Sequence, residues 1–270
     1  MPAQYLAGLF MKIDVITMWY NEEFLAPFFL GHYSFADTIH ILLDEETTDN
    51  TREIISKFKN VNVIPVRFPD MLDDLLKVRT INDLYRSIGS DWVIVVDSDE
   101  FLFPQPLDKA FHEVLGQEST YDLFNAQMWQ VYRHRSDADL DSTLPAIYQR
   151  RHGDPNVSTG INAAYVKPII VRSGLDIQWL PGCHELKRKW FPGRIWNTIT
   201  GKRIVTSPQV IHGAHWQMAD PDFAVARRLR RKARLSKRNL EEGMGIHNFH
   251  VTEQQIREEC GCHLDDPLLF

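Results

Sequence analysis

Cysteine is scarce in this sequence, with three residues among 270, at positions 183, 260 and 262. The number is odd and two of the three stand one residue apart, so they do not form the paired framework of a disulfide-stabilised secreted domain. The Cys260-Gly-Cys262-His263 segment lacks a second group of metal ligands, which favours an ordinary C-terminal loop over a zinc site. We therefore expect a protein of the reducing cytoplasm.

Long apolar runs and an excess of positive charge are missing too. No apolar run reaches the roughly 18 residues that a membrane span needs, and residues 1–10 lack the basic start of a signal peptide. The formal net charge of −6 excludes a general nucleic-acid-binding protein. We expect a cytoplasmic protein with no nucleic-acid partner.

Short apolar runs alternate with helical segments in the first hundred residues. The pattern predicts strands at 13–18, 38–43, 61–66 and 91–96, with helices at 24–33, 51–58 and 71–88 between them. Such alternation indicates βαβ units, hence an α/β fold with a Rossmann-like, mostly parallel central sheet flanked by helices.

After Pro104 the pattern changes. Residues 121–132 and 164–171 are predicted to be further strands, antiparallel to the first group, and residues 133–162 a long loop over the site. Residues 220–242 have a helical and very basic pattern. We divide the chain into a domain at 1–218, with halves at 11–105 and 106–218, and a helical C-terminal extension at 219–270.

Polar motifs follow three of the predicted strands directly: Tyr20-Asn21-Glu22, Asp44-Glu45 and Asp97-Ser98-Asp99. In open α/β sheets, ligands bind beyond the carboxyl ends of the strands. Two carboxylates one residue apart, as in the third motif, can reach one divalent cation that bridges diphosphate oxygens. The alternative is a polar loop that caps the next helix.

Other polar residues near these motifs have two interpretations each. Asp44 can accept hydrogen bonds from a ribose or a base, or it can cap the following helix. Arg79 and Asn82 precede the strand that delivers Asp97, so they can meet a diphosphate or form part of a solvated helix face.

Four segments together resemble the family-2-like glycosyltransferases of the GT-A fold. They are Trp19-Tyr20-Asn21-Glu22-Glu23, Asp44 to Thr51, Arg79-Thr80-Ile81-Asn82 and Asp91 to Glu100, and their order and spacing match across roughly residues 11–105. The resemblance implies a nucleotide-sugar donor, with Asp44 at the nucleoside, Asp97 near ribose and diphosphate, and Asp99 on the metal. Glu45-Glu46 replaces the Asp-Gly of the usual motif.

The C-terminal half matches that family less closely, through Lys167 to Arg172, Pro181 to Glu185 and His212 to Trp216. The resemblance implies that His184, or one of His212 and His215, completes the metal shell or contacts the diphosphate. Neutral imidazole beside two carboxylates suits manganese, and the cofactor is predicted to be manganese or magnesium. For each histidine, ordinary hydrogen bonding in the core or at the surface is the alternative.

An inverting transferase needs a base that deprotonates the acceptor hydroxyl. Glu185, beside His184, is the first candidate and Asp122 a weaker one. A retaining enzyme needs no such base, and the sequence leaves the stereochemistry open.

Eight of residues 227–238 are Lys or Arg. A helix over 224–240 with this composition can lie on anionic lipid or bind a lipid-diphosphate acceptor, or it can be a solvated face that balances an acidic domain. Membrane contact would place the protein on the inner face of the membrane.

The sequence therefore predicts a metal-dependent transfer of sugar from a nucleotide donor, with UDP favoured, to a glycan or lipid-linked hydroxyl in cell-surface glycan assembly. One alternative is a non-catalytic glycan-binding protein on a transferase fold. Another is a haloacid-dehalogenase-like phosphatase, disfavoured because Phe101 stands where a Thr or Val is expected. A nucleotidyltransferase is disfavoured because no glycine-rich loop follows the first strand.

Overall fold

Strands and helices alternate through the first half of the chain, and helices end it. The computed structural model describes residues 11–69, 71–117, 120–156, 165–187, 204–244 and 250–270. The strands are β1 (Ile13–Trp19), β2 (Thr38–Asp44), β3 (Val61–Val66), β4 (Trp92–Val95), β5 (Glu100–Phe103), β6 (Leu123–Tyr132), β7 (Val166–Arg172) and β8 (Ile211–Met218). The helices are α1 (Ala26–His32), α2 (Thr51–Ile55), α3 (Asp74–Ser87), α4 (Phe111–Gln117), α5 (Pro221–Ala233), α6 (Lys237–Glu241) and α7 (Glu253–Cys262).

The strands of the described residues form one sheet in the order β3-β2-β1-β4-β7-β6-β8-β5. The first four are parallel. β7 is antiparallel to β4 and β6, while β8 is parallel to β6 and antiparallel to β5. The predicted α/β class, with a parallel Rossmann-like half, is confirmed. The predicted antiparallel strand after Pro104 is β7, whereas β6 runs in the direction of β4.

The apolar runs become central strands because helices cover both faces of the sheet. All four residues of β4 are buried, as expected of a strand covered on both sides. Phe29 of α1 and Ile55 of α2 pack with one set of core side chains, while Val78 and Ile81 of α3 pack with the other. The sheet therefore has one hydrophobic core on each face, formed by side chains that alternate along the strands.

Helix α3 begins three residues later than its apolar pattern suggests. The Asp73 carboxylate accepts a hydrogen bond from the Leu76 amide at 3.0 Å and caps the helix. Met71 has a positive φ of 55°, which is incompatible with a helix that starts there. The cap fixes the phase of the helix and thereby decides which of its side chains face the sheet edge.

The C-terminal helices pack on the sheet domain instead of standing apart from it. The ring of Phe223 in α5 stacks on that of Phe24, with centroids 4.4 Å apart. After α5 the backbone pairs with the segment before α3, because the Leu72 amide donates to the Arg234 carbonyl at 2.9 Å and Leu72 accepts from Ser236. In the part of the chain that the structure describes, no helix is long and apolar enough to cross a membrane.

Residues 133–156 belong to the segment predicted to cover the site, and the remainder of that segment lies outside the described residues. They pack against the end of the chain: the Arg135 amide donates to the Leu264 carbonyl, and His152 bridges to Leu268. Buried Arg150 donates to the Ala219 carbonyl at 2.7 Å. The prediction is wrong for this part because the C-terminal residues hold it beside the sheet.

Candidate functional site

Two adjoining pockets lie at the carboxyl ends of β1, β2 and β4. The first, which we call the arginine pocket, is open to solvent and covers about 700 Å³. Its polar and apolar lining residues are Met18, Trp19, Tyr20, Glu22, Asp44, Phe68, Leu72, Lys77, Asp97, Ser98, Arg227, Arg230, Arg231 and Arg234. The second pocket, also open to solvent, covers about 1130 Å³ and shares Lys77, Asp97 and Arg231 with the first. We call the two adjoining pockets together the cleft.

The acidic loop, residues Asp97 to Asp99, follows β4 and separates the two pockets. The Lys77 ammonium donates to Oδ1 of Asp97 at 2.5 Å, and Nζ of Lys167 lies 3.9 Å from Oδ2. Burial works to raise the pKa of Asp97, but the two lysines hold it well below its usual range. Asp97 is therefore an ionised carboxylate with a cation beside each oxygen.

Asp99 has two partners on one oxygen. The Arg227 guanidinium and the imidazole of His215, the latter at 3.2 Å, both meet Oδ2 of Asp99. Burial opposes ionisation, yet Arg227 and His215 lower the pKa of Asp99 well below its ordinary value. The second carboxylate of the loop is thus also paired.

Arg227 reaches beyond Asp99 to the loop after β1. Its Nη2 donates to Oγ of Ser98 at 2.9 Å and to Oε1 of Glu22 at 3.3 Å. Burial raises the pKa of Glu22 despite the nearby guanidinium. One arginine of α5 thereby connects the ends of β1 and β4.

The end of β2 repeats this arrangement with a second arginine. Arg234 donates to Oδ2 of Asp44 at 2.8 Å and lies 3.5 Å from the centroid of the Tyr20 ring, a cation–π contact. The other oxygen of Asp44 accepts from the Glu46 amide at 2.9 Å. Asp44 therefore caps the turn after β2 and also pairs with α5.

Arg227, Arg230 and Arg231 of α5, together with Arg234 directly after it, lie on one face because their spacing is i, i+3, i+4 and i+7. The other side of the helix packs inward through Phe223, Ala224 and Val225, and Arg228 pairs with Glu259 of α7 at 3.0 Å. Half of the basic side chains between 227 and 238 thus face the pocket. Their placement gives no support to the predicted membrane contact through 224–240.

The structure brings together seven of the residues predicted for the site. Tyr20, Glu22, Asp44 and Asp97 line the arginine pocket. Asp99, His184 and His215 line the second pocket, as does Asp97.

The other predicted residues line neither pocket. Asn21 has a positive φ of 51°, and its side-chain oxygen accepts from the Thr48 amide at 2.8 Å, so it ties two loops together. Asn82 is buried and exchanges two hydrogen bonds with the backbone of Trp179. The Arg79 side chain is 80% exposed, because it lies on the opposite face of α3 from Lys77.

His212 and His215 lie on the same strand but on opposite faces. Residues three apart in a strand point to opposite sides of the sheet. His212 accepts a hydrogen bond from the Trp129 indole at 2.9 Å, and burial lowers its pKa. The strand geometry therefore places only His215 at the acidic loop.

The two predicted bases also lie elsewhere. The Asp122 carboxylate accepts from the Val205 amide at 2.9 Å. The Asp122 carbonyl accepts a hydrogen bond from the Arg172 amide. Arg172 pairs with Trp92 at the start of β4, so Asp122 lies near the amino end of that strand, away from both pockets. Glu185 is exposed and outside both pockets.

The two carboxylates of the acidic loop are suitable donors for a divalent metal, but cationic side chains occupy them. Metal binding needs unprotonated oxygen or nitrogen atoms that converge on one point, whereas both carboxylates already hold cationic side chains. Among the described residues, the cluster of three candidate ligands within 4.8 Å of one another is His134, Asp137 and His152. It lies after β6, outside both pockets, and includes none of the predicted ligands, four of which line the second pocket: Asp97, Asp99, His184 and His215.

Sequence analysis missed the cations that contact these carboxylates. Lys77 could have been found from helical phase, since it shares a face with Asp74 and Ile81, whereas Arg79 does not. A lysine in the apolar β7 run is a second signal: Lys167 is buried and pairs with Glu100 as well as Asp97. No local signal in the sequence shows that α5 folds back over the sheet edge.

No family model matches the chain, and no curated protein matches it. Among solved structures, S. aureus TarS is 17% identical with a TM-score of 0.43, over 81% of this chain and 39% of that one. TarS 1–349 in complex with UDP-GlcNAc is 17% identical with a TM-score of 0.37, over 81% and 65%. Glucosyl-3-phosphoglycerate synthase from Mycobacterium tuberculosis, in complex with Mn²⁺, UDP and glucosyl-3-phosphoglycerate, is 20% identical with a TM-score of 0.32, over 47% of each chain. This chain spans less than two thirds of each of these structures.

Proposed function

We propose that the chain is a glycosyltransferase that takes a nucleoside-diphosphate sugar, of the UDP type, in the arginine pocket. The sugar passes to a hydroxyl group of an acceptor in the second pocket. One observation carries the proposal: carboxylates from the ends of three parallel strands and four arginines, from α5 and the residue after it, line a single pocket. That pocket shares three lining residues with a larger one.

The lining of the arginine pocket suits the two halves of a nucleotide. Asp44 and Tyr20 lie at the ends of β2 and β1, beside the apolar side chains of Met18, Phe68 and Leu72. A carboxylate can accept from ribose hydroxyl groups, and apolar and aromatic surfaces favour a planar base. The cationic side chains that line the same pocket, from Lys77 and the arginines, suit the phosphates.

In the reaction, the bond between the anomeric carbon and the diphosphate oxygen breaks and the acceptor oxygen bonds to that carbon. An inverting transfer needs a base for the acceptor proton. Among described carboxylates that line the second pocket, Asp74 is the one without an ion pair; it accepts from the Asn239 amide group at 2.9 Å. We assign the base role to Asp74 in place of Glu185 and Asp122.

Metal dependence and a role in cell-surface glycan assembly stay predictions from the sequence. The acidic loop does not fit a divalent ion while Lys77 and Arg227 occupy its carboxylates. The proposed sugar transfer therefore uses only the protein's own side chains. A glycan or a lipid-linked sugar remains the proposed acceptor class.

A thermal-shift screen of nucleoside diphosphates and nucleotide sugars, with and without Mn²⁺, tests donor binding. We expect UDP-type ligands to raise the melting temperature, and a donor found in this way to release UDP when an acceptor is added. Asp74→Asn should lower the turnover number at unchanged donor affinity, whereas Asp83→Asn, on the exposed face of the same helix, should change neither. If no nucleotide stabilises the protein, the proposed function is wrong.

A further inference from the structure

We propose that the guanidinium groups of α5 bind the donor's diphosphate, with Arg227 at Asp99 in the place of a divalent cation, so that nucleotide binding needs no metal. This proposal rests on the proposed function and identifies the cations that bind the diphosphate of the donor. It departs from the metal dependence that the sequence predicts.

The first support is the fit of Arg227 to the acidic loop. One guanidinium nitrogen meets Asp99, while the other donates to Ser98 and Glu22. The Arg227 side chain is 13% exposed, and such a planar fork is held in a fixed direction. A divalent ion on Asp99 would have to displace this guanidinium or lie beside it against charge repulsion.

The second support is the charge of the arginine pocket. Its lining has three carboxylates, from Glu22, Asp44 and Asp97, and five cationic side chains. Among the described residues, Arg230 and Arg231 have no carboxylate partner. Asp99 and Glu46, just outside the lining, pair with Arg227 and Arg234, so Arg230 and Arg231 are the cations of the pocket that are left for two phosphate groups.

The third support is a pair of unsatisfied donors. Nε of Arg231 and Nη1 of Arg234 are buried, and neither has a hydrogen-bond partner among the described residues. Buried polar atoms without partners are rare and call for a ligand or water. Phosphate oxygens accept strongly from guanidinium groups, often in pairs. Both side chains line the arginine pocket.

Calorimetric titration with UDP and with UMP, in EDTA and in Mn²⁺, tests the proposal. For the wild-type chain we expect the UDP dissociation constant to differ less than threefold between EDTA and Mn²⁺. The double variant Arg230→Gln/Arg231→Gln should weaken UDP binding at least tenfold and leave UMP binding nearly unchanged, because it removes contacts to the second phosphate. Lys237→Gln, an exposed charge on α6, is the matched control and should change nothing.

Arg227 has its own pair of variants. Arg227→Lys should keep UDP binding in EDTA, whereas Arg227→Gln frees Asp99 and should make UDP binding depend on Mn²⁺. Circular dichroism checks that both variants fold, and the double variant tests the proposal even if one of them does not. UDP binding by the wild type only in Mn²⁺ overturns the proposal and leaves the transferase function standing. No nucleotide binding in either solution overturns both.

Discussion

Lys167 is the only described cation that contacts both Glu100 and Asp97, and its replacement by methionine gives a sharp test of the buried electrostatics. Its side chain is 8% exposed, and the Glu100 side chain beside it is 2% exposed. Methionine keeps the length and apolar character of the side chain but removes the charge. Glu100 is then buried without its cation, and Asp97 keeps Lys77 alone.

Breaking a buried ion pair by removing one partner costs about 3–5 kcal/mol, a large part of the ~5–15 kcal/mol that stabilises a typical domain. We expect Lys167→Met to lower the free energy of unfolding by about this amount. Urea titration followed by tryptophan fluorescence measures it, at an unchanged slope with denaturant.

A surface pair provides the control for this prediction. Lys57 and Glu53 are 3.0 Å apart with side chains more than 60% exposed, so Lys57→Met should cost no more than ~1 kcal/mol. The double variant Lys167→Met/Glu100→Gln should be at least ~1 kcal/mol more stable than the sum of its single variants predicts, because no unpaired charge stays buried. A Lys167→Met variant within 1 kcal/mol of the wild type would refute the reasoning.

Three further predictions concern the rest of the cleft. Lys77→Ala should weaken UDP binding about tenfold, as one charged hydrogen bond is lost, whereas exposed Arg79→Ala should leave the calorimetric dissociation constant unchanged. The lowered pKa values of Asp97 and Asp99 stabilise the folded state fully above their unfolded pKa of about 4, and this stabilisation is lost as the pH falls below that value. The urea midpoint should therefore fall between pH 6 and pH 3. It should fall less in a variant without the Arg227 charge. Gly182→Ala should cost about 1–2 kcal/mol in urea unfolding, because Gly182 has a φ of +83° and its new Cβ would lie 2.6 Å from the His184 ring.

The parallel half of the sheet could be predicted because its causes are local. β1 and β4 are short apolar runs, and polar motifs mark where each strand ends. The convergence of Asp44 and Asp97 on one edge then follows from parallel strand direction alone. The apolar pattern of a strand and the polar motif at its end can both be recognised within one segment of the sequence.

The cationic half of the site depends on contacts between distant segments. The composition of residues 227–238 shows a basic helix but not what its basic face meets, so contact with anionic lipid and a solvated face are its two interpretations, and neither places the arginines at the sheet. Charge alone does not separate Arg79 from Lys77, since both are cations, whereas helical phase favours Lys77. Strand alternation likewise separates His212 from His215, and both corrections use geometry that the sequence already contains.

The backbone pairing of Leu72 with residues 234–236 has a consequence for synthesis on the ribosome. The carboxylates of the cleft emerge early, whereas the arginines that neutralise them are translated more than a hundred residues after Asp99. During that interval the carboxylates of the nascent chain repel one another, and the lysines available to them are Lys77 and, later, Lys167. The cleft is therefore completed only after the C-terminal helices leave the exit tunnel, and a chain released before them would carry a fully translated Rossmann half without a working site.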